Sequence, residues 1–270
     1  MLIAEKCPPQ DEMDISKWFP SLPIGIDGTT VLPERITTLQ DILTKKFDES
    51  ATLKSVERLK SKKNIVLHLT IEAEKQFEVV AKMFVVDNFD IELQILKSSW
   101  EKSLTVPEVI KAENGVILMS FISGDLLVDS LNHTFKPELV DMLAKWYYNY
   151  HSAHELIKGD PRLRNFIHNN DQIYGVDFEE ARSADWMLDI GGTAASILDT
   201  DPVFDIRKRR LCWRFLEQYL TLSGKNRTDQ IDQNYIETVA DLLKQTSVWR
   251  NDENILALSE NVRQNGIPVD

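Results

Sequence analysis

The sequence predicts an α+β protein of two lobes, in which an antiparallel sheet with one helix precedes a mainly helical lobe. Apolar residues follow a strand-like period between residues 52 and 121, apart from one helical stretch, and a helical period after Gly124. Residues 119–124 lie between the two regions and are the predicted hinge. We expect three parts, namely an N-terminal extension at 1–36, an N-lobe at 37–120 and a helical C-lobe at 121–270.

The elements of the front half follow from local patterns. Within the N-terminal extension, residues 18–20 and 22–24 are expected to form short extended pieces that pack on the rest of the protein. A helix is expected at 88–100, with Ile91, Ile95 and Trp100 on one face and Glu92 among them. The predicted strands are 52–59, 64–71, 77–86, 107–111 and 116–121, and the first three are expected to form one antiparallel sheet.

The back half is expected to be mainly helical. Its best helix spans 137–154 and begins with a proline, which is acceptable in a first turn. Near its end, His151 and His154 lack a third ligand for zinc, so packing or helix-end charge is their expected role. The face expected to be buried carries Leu139, Met142, Leu143, Trp146, Tyr147 and Tyr150. Further helices are predicted at 204–222, 235–245 and 254–263.

The 270 residues and the net charge of −12 narrow the classes of function. A chain of this length can form two lobes around a large buried core. The acidic charge argues against broad binding of nucleic acid or of an anionic membrane, so small molecules or neutral proteins are the expected partners. Cys7 and Cys212 predict no disulfide framework, no run can span a bilayer, and the first residues lack a signal-peptide core. We therefore expect a cytoplasmic setting, and the oligomeric state stays open.

Residues 158–165, KGDPRLRN in one-letter code, and the later Asp177 have a spacing suited to phosphoryl transfer. The loose transition state of that reaction leaves the protein mainly to position the reactants and to neutralise charge. Asp160 would face the attacking hydroxyl, while the amide oxygen of Asn165 and the carboxylate of Asp177 are hard ligands that suit Mg²⁺. Asn165 is informative because a neutral amide binds the metal without repelling the nucleotide.

The order of these features resembles the protein-kinase-like fold, and within it the aminoglycoside phosphotransferases and the choline or ethanolamine kinases. The resemblance covers about residues 53–198. It implies that Lys82, at the end of the run VVAK, contacts the nucleotide phosphates and that Glu92 pairs with Lys82. It also implies ATP and Mg²⁺ as cofactors, with Met119 and Phe121 beside the adenine.

Details after Asp177 favour the small-molecule branch of this fold over protein kinases. Phe178 and then Glu179 follow Asp177, where protein kinases carry Phe and Gly, and Glu179 is a further candidate for the metal. The resemblance implies that Asp189, in the run DWMLDIG, supports the backbone of the catalytic loop. Only residues 179–184 separate Asp177 and Phe178 from that run, so we expect a site assembled without a phosphorylation-switched loop.

Three positions depart from the pattern of the family. Residues 60–64, KSKKN, carry three lysines and no glycine where a glycine-rich loop usually covers the phosphates. Lys158 stands two residues before Asp160, where a histidine is usual. Arg162 stands where protein kinases carry a lysine for the γ-phosphate, and its guanidinium could bind a phosphate through two donors.

The expected function is an ATP- and Mg²⁺-dependent transfer of phosphate to a hydroxyl of a small molecule, with Asp160 and Arg162 as the catalytic residues. Taken singly, the charged residues also suit ordinary roles at surfaces and turns, and only their order and spacing favour the functional interpretation. A catalytically weak kinase-like protein that binds nucleotide or serves as a scaffold is an alternative, favoured by Lys158 and by the loop at 60–64. An atypical protein kinase is a third. The sequence leaves the acceptor, and the choice between ATP and GTP, open.

Overall fold

The computed structural model of the chain is described over residues 13–19, 21, 23–24, 28, 30–48, 50–61, 63–85 and 88–270. The chain divides into two compact units. The N-terminal unit comprises Met1–Ser98 and Pro107–Phe121, and the C-terminal unit comprises Ser99–Val106 and Ile122–Asp270. The division into 1–36, 37–120 and 121–270 stays a prediction.

The N-terminal unit is built on a five-stranded antiparallel sheet with the order β1-β2-β3-β5-β4. The strands are β1 (Thr52–Leu59), β2 (Ile65–Glu72), β3 (Gln76–Met83), β4 (Val109–Glu113) and β5 (Val116–Ser120). In β2, Ile65, Leu67, Leu69 and Ile71 alternate with more exposed residues, as a strand with one covered face requires. The β3 strand is central because it pairs with β2 on one side and β5 on the other.

A helix that the sequence patterns did not predict covers this sheet. It is α1 (Pro33–Lys46), and its buried residues Leu39, Ile42 and Leu43 recur at the spacing of one helical face. Its Pro33 occupies the first turn, where the missing N–H costs no hydrogen bond. The helix packs against β3, β4 and β5, so the core of the unit lies between α1 and the sheet.

Residues 18–20 are not simply an extended piece as predicted, because a short 3-10 helix spans Ile15–Trp18. The side chain of Asp14 accepts a hydrogen bond from the backbone N–H of Ser16 and caps this helix. Ile15 is buried, and Trp18 and Phe19 pack against the same core as α1. Pro20 and Leu22 lie outside the described residues.

The α2 helix (Phe89–Glu101) is confirmed, but its buried face differs from the predicted one. Glu92 and Ile95 are buried, whereas Ile91 and Trp100 are 40% and 49% exposed. Glu92 and Ile95 therefore share the buried face as predicted, whereas Ile91 and Trp100 lie on the exposed side of the helix.

The C-terminal unit contains six helices and a three-stranded antiparallel sheet of order β6-β7-β8 in its described part. The helices are α3 (Leu127–Thr134), α4 (Pro137–His154), α5 (Met187–Leu198), α6 (Ile206–Leu222), α7 (Asp229–Arg250) and α8 (Glu253–Asn265). The strands are β6 (Asp125–Leu126), β7 (Phe166–Asn169) and β8 (Gln172–Gly175). The α4 helix packs on α6, and α7 packs on both α5 and α8.

The predicted helix at 137–154 has the bounds of α4, and all of its predicted buried face except the half-buried Met142 is buried. The later helices are confirmed with longer bounds than predicted for α7 and α8. The elements α3, β6 and β7 are not among the predicted ones, because each is too short for a hydrophobic period to identify.

Cys212 is a buried free thiol, and Cys7 lies outside the described residues. No helix within the described ranges is long and apolar enough to cross a membrane. The fold is therefore the predicted α+β class, with an antiparallel sheet in the first unit and a mainly helical second unit.

Candidate active site

Lys82 and Glu92 form a buried ion pair within the N-terminal unit. Lys82 lies on the central strand β3, opposite Val66 of β2 and Ile117 of β5. Its Nζ atom is 2.6 Å from Oε2 of Glu92, and the two side chains are 6% and 2% exposed. An ammonium on a long flexible stem needs such a partner to keep one position. The structure therefore brings together the two residues that the sequence predicted to pair.

Met119 and Phe121, the residues predicted to contact adenine, lie at the end of β5 and just after it. Met119 is buried and stands opposite Val80 of β3. The ring of Phe121 stacks on the ring of His68 from β2, with centroids 4.0 Å apart and planes 15° apart. The backbone N–H of Phe121 donates to the carbonyl of Glu78 at 3.4 Å. The pairing of β5 with β3 therefore extends one residue beyond the end of β5.

The loop between β1 and β2 is held by an asparagine. Asn64 is buried, and its Oδ1 atom accepts a hydrogen bond from the backbone N–H of Val85 at 3.1 Å. Lys60 and Lys63 are exposed, and Lys62 lies outside the described residues. The loop thus presents exposed cationic side chains in place of glycine backbone.

In the C-terminal unit, Asp160 lies in the loop between α4 and the β7–β8 hairpin and is 9% exposed. Arg162 contacts both of its carboxylate oxygens. Nε donates to Oδ1 at 2.5 Å and Nη2 donates to Oδ2. Burial alone would raise the pKa of the Asp160 carboxyl, but the hydrogen bond from Arg162 and the charges of Lys158 and Arg162 outweigh burial, and the pKa falls to about 2. Asp160 is therefore an ionised, paired carboxylate at neutral pH.

Asp189 supports this loop from α5, as the resemblance implied. Its fully buried carboxylate accepts hydrogen bonds from the backbone N–H groups of Lys158, at 2.6 Å, and Gly159, at 3.0 Å. His151 of α4 lies 3.0 Å from the same carboxylate through Nε2, and its Nδ1 is 2.8 Å from the hydroxyl of Tyr219. His151 thus holds Asp189, a role that goes beyond the predicted packing.

Gly159 adopts a backbone conformation that favours glycine. Its φ is +84°, and a Cβ atom there would collide with the carbonyl oxygen of Glu180. The glycine therefore allows the chain that precedes Asp160 to approach the segment that follows Asp177.

Lys158 joins the loop of Asp160 to the segment of Asp177. Its side chain is fully buried, and Nζ donates to the backbone carbonyls of Asp160 at 3.0 Å and Asp177 at 2.7 Å. Nζ also lies 5.5 Å and 5.3 Å from the ring centroids of Phe166 and Phe178. The substitution of lysine for the usual histidine therefore comes with its own set of contacts.

Asn165 and Asp177 lie next to the two ends of the β7–β8 hairpin. The first residue of β7 pairs with the last of β8, and the N–H of Val176 donates to the Asn165 carbonyl at 3.0 Å. The Nδ2 atom of the buried Asn165 side chain donates to the Asp160 carbonyl at 3.4 Å, which points the amide oxygen away from that carbonyl. Asp177 has a φ of +64°, a strained conformation typical of functional sites. Amide and carboxylate oxygens form a donor set that fits Mg²⁺.

Glu179, the third predicted metal residue, is 8% exposed and follows Asp177 by two positions. Its side chain belongs to the same segment as Asp177 and Phe178. The structure places the predicted residues of the C-terminal unit in two segments that Lys158 joins through its hydrogen bonds. The first contains Asp160, Arg162 and Asn165, and the second contains Asp177 and Glu179.

Two residues of this arrangement were missed or undervalued by sequence reasoning. Lys158 departs from the pattern of the family, and the sequence predicts only packing or helix-end charge for His151. A signal was present for His151, since it lies four residues after Tyr147 and so continues the buried face of α4. No signal for Lys158 was present, because its partners are carbonyl groups from two separate loops.

The chain has the same fold as solved structures of small-molecule kinases and phosphotransferases. It is similar to the amicoumacin kinase hAmiN, solved with AMP-PNP, Ca²⁺ and Ami, with a TM-score of 0.59, 13% identity and coverage of 88% of this chain and 98% of that one. It is also similar to a choline/ethanolamine kinase family protein from Mesorhizobium loti, with a TM-score of 0.59, 11% identity and coverage of 83% and 91%. For the aminoglycoside phosphotransferase APH(4)-Ia the TM-score is 0.56, the identity 11% and the coverage 86% and 98%.

No protein-family model and no curated protein matches the sequence. At identities this low, likeness to solved structures establishes the fold alone. The activity must be argued from the residues of this chain.

Proposed function

We propose that the protein is an ATP- and Mg²⁺-dependent phosphotransferase whose acceptor is a hydroxyl of a small molecule. The observation that supports this most is the buried catalytic loop of the C-terminal unit. There Asp160 is ionised, Asn165 and the segment of Asp177 are adjacent, and Lys158 and Asp189 fix the backbone. A buried charged constellation of this kind is costly to maintain without a use, since burial disfavours charged groups.

Asp160 is proposed to orient the acceptor hydroxyl and to take its proton. A carboxylate with a pKa of about 2 is a weak base, because Arg162 engages both oxygens. Transfer of the Arg162 guanidinium from Asp160 to the γ-phosphate would free the carboxylate and raise its pKa toward the usual range. We therefore assign Arg162 a double role, in holding Asp160 before the nucleotide binds and in contacting the phosphate afterwards.

The remaining roles follow the donor chemistry of each side chain. Asn165 and Asp177 are proposed to hold Mg²⁺, with Glu179 in support, and the metal would neutralise charge on the phosphates. Lys82 is proposed to contact the α- and β-phosphates, with Glu92 orienting it. Met119 and Phe121 are proposed to lie beside the adenine.

The setting is proposed to be cytoplasmic, with a small-molecule acceptor and without nucleic-acid binding. The net charge of −12 supports the last point.

A second candidate is a catalytically weak protein of the same fold that binds nucleotide and acts as a scaffold. The bidentate contact of Arg162 with Asp160 favours it, because a carboxylate occupied in this way cannot receive a hydroxyl. The two candidates differ in one respect, namely whether bound nucleotide releases Asp160.

Thermal-shift titration tests the proposal, with ATP and GTP each measured in the presence and absence of Mg²⁺. At a nucleotide concentration of 100 times Kd, binding contributes about 2.7 kcal/mol, which corresponds to roughly 5 to 10 °C in Tm for a chain of this size. The shift should require Mg²⁺ and should be lost in Asp177→Ala. The matched control is Asp171→Ala, at an exposed aspartate in the turn between β7 and β8.

Release of ADP with a panel of hydroxyl acceptors then separates the two candidates. Nucleotide-stabilised protein that releases ADP with at least one acceptor supports the phosphotransferase. Stabilised protein that never does supports the scaffold. Absence of any shift with either nucleotide contradicts both.

A further inference from the structure

Arg164 differs from Arg162 and Arg250, the two arginines whose charges act on it. It lies in the short 3-10 turn Leu163–Asn165, directly before Asn165, and its side chain is half-buried. With the residues that the structure describes, Arg164 forms no hydrogen bond and no ion pair. A guanidinium carries five N–H donors in a rigid fork, and a half-buried one normally has an acceptor.

The two neighbouring guanidinium groups do have carboxylate partners. Arg162 is bonded to Asp160, and Nη1 of Arg250, at the end of α7, lies 3.0 Å from Oδ2 of Asp199, which follows α5. Arg164 is the cation of this cluster that lacks a counter-charge at hydrogen-bonding distance.

The electrostatics of the cluster agree with this geometry. Burial lowers the pKa of Arg164, and the charges of Arg162 and Arg250 lower it further, while the carboxylates of Asp160 and Asp177 act in the opposite sense. The net direction is downward, with burial as the largest cause. An anion placed there would relieve the repulsion among the three cations.

A second buried carboxylate, that of Asp199, is close enough for the charge of Arg164 to lower its pKa, and Arg164 makes no contact with it. The Asp199 side chain is 3% exposed, and its Oδ1 atom is buried without a hydrogen-bond partner among the described residues. Arg164 makes no hydrogen bond to that oxygen, so its N–H donors stay available to a ligand.

We propose that Arg164 binds an anionic group, a carboxylate or a phosphate, on the acceptor whose hydroxyl Asp160 orients. This inference rests on the proposed function and specifies its substrate class. Arg164 lies four residues after Asp160 on the same loop, so the two side chains can contact two ends of one compact molecule. The acceptor class is therefore hydroxylated acids or sugar phosphates. Amino alcohols and polyamines are disfavoured at this position, because their ammonium group would face the charge of Arg164, which no carboxylate pairs.

A matched hexose series tests the charge preference directly. Glucose is neutral, glucuronate carries a carboxylate, glucose 6-phosphate carries a phosphate and glucosamine carries an ammonium group, on closely similar rings. Binding of each is measured by titration calorimetry at constant ionic strength, with and without Mg²⁺ and a non-hydrolysable ATP analogue. The wild type is expected to bind at least one anionic hexose roughly tenfold or more tighter than glucose, the scale of a charge-assisted hydrogen bond. Which of the two binds more tightly distinguishes a carboxylate site from a phosphate site.

Arg164→Gln should remove this preference and leave the affinity for the nucleotide analogue unchanged. Arg164→Lys, which keeps the charge but loses the fork, should retain part of it. The control is Arg263→Gln, at an exposed arginine that pairs with Asp241. Thermal unfolding of each variant identifies any loss of folding, and the lysine variant then decides the result.

Several results would overturn the inference. One is that the anionic hexoses bind the wild type no more tightly than glucose does. The same conclusion follows if none of the four hexoses binds. Another is an Arg164→Gln variant that loses nucleotide affinity in place of the anion preference, which would assign Arg164 to the nucleotide. Failure of the proposed function would give a different result, because the wild type would show no Mg²⁺-dependent binding of nucleotide. The hexose titrations without nucleotide would still report the anion preference of Arg164 in that case.

Discussion

Replacing Asp189 should destabilise the C-terminal unit more than any exposed charge does. The carboxylate is fully buried and accepts hydrogen bonds from two backbone N–H groups, those of Lys158 and Gly159, with His151 as a further partner. Asp189→Ala would leave both N–H groups without an acceptor, at about 1 to 3 kcal/mol each. We therefore expect a loss of about 3 to 5 kcal/mol, a large part of the total stability of a typical domain.

Urea unfolding followed by tryptophan fluorescence measures this loss. With a slope of about 2 to 3 kcal/mol per molar urea, the midpoint should fall by roughly 1 to 2 M. Asp189→Asn is expected to lose less, because its amide oxygen can still accept one of the two bonds. Asp241→Ala, at an exposed aspartate paired with Arg263, is the control and should resemble the wild type.

A midpoint for Asp189→Ala equal to that of Asp241→Ala would refute the reasoning. It would mean that water, or a shift of the loop, replaces the carboxylate at little cost. The loop of Asp160 would then owe its position to Lys158 rather than to Asp189.

Three further predictions concern the pairs and the turn around the site. The pKa of Asp160 is lowered to about 2 in the folded protein, so its ionised form stabilises the fold above about pH 4. That contribution, about 2 kcal/mol, is lost as the pH falls toward 2. In Arg162→Gln, the free energy of unfolding should therefore fall less steeply over this acid range, the acid limb of the stability curve. Lys82→Met should cost about 3 to 5 kcal/mol in unfolding free energy because it leaves the buried charge of Glu92 without its 2.6 Å partner. Gly159→Ala should lower Tm, because its positive φ and its close neighbour both oppose a Cβ atom.

Each of these predictions has a control. For the acid limb it is Arg263→Gln, whose pH dependence should follow the wild type. For the buried pair the control is the double variant Lys82→Met with Glu92→Leu, whose free energy of unfolding should be higher than that of Lys82→Met alone. A double variant as unstable as Lys82→Met would contradict the argument. For the turn the control is Gly224→Ala, where φ is +65° and no atom lies within 4 Å of an added Cβ. If its Tm fell as far as that of Gly159→Ala, the collision with the Glu180 carbonyl would be unimportant.

Local patterns in the sequence determined the α+β class, most strands of the sheet and the long helix α4. They also determined the order of Lys82, Glu92, Asp160, Asn165 and Asp177 along the chain. These features are accessible because strand and helix periods, and the spacing of residues within one loop, depend on near neighbours in the sequence. The pairing of Lys82 with Glu92 could be predicted for a different reason, namely the resemblance to a known fold.

Tertiary structure alone decided the environment of each charge. The two carbonyl groups that Lys158 contacts belong to loops 17 residues apart, Asp160 and Asp177. The pairing of Arg250 with Asp199 joins α7 to the end of α5, and leaves Arg164 without a carboxylate of its own. Local sequence patterns predict neither the contacts of Lys158 nor the pairing of Arg250 with Asp199. The reason is that the energy of a buried charge depends on all the groups around it, most of them distant in sequence. The sequence therefore indicated which residues could act, and the packing of the chain set the charge that each one faces.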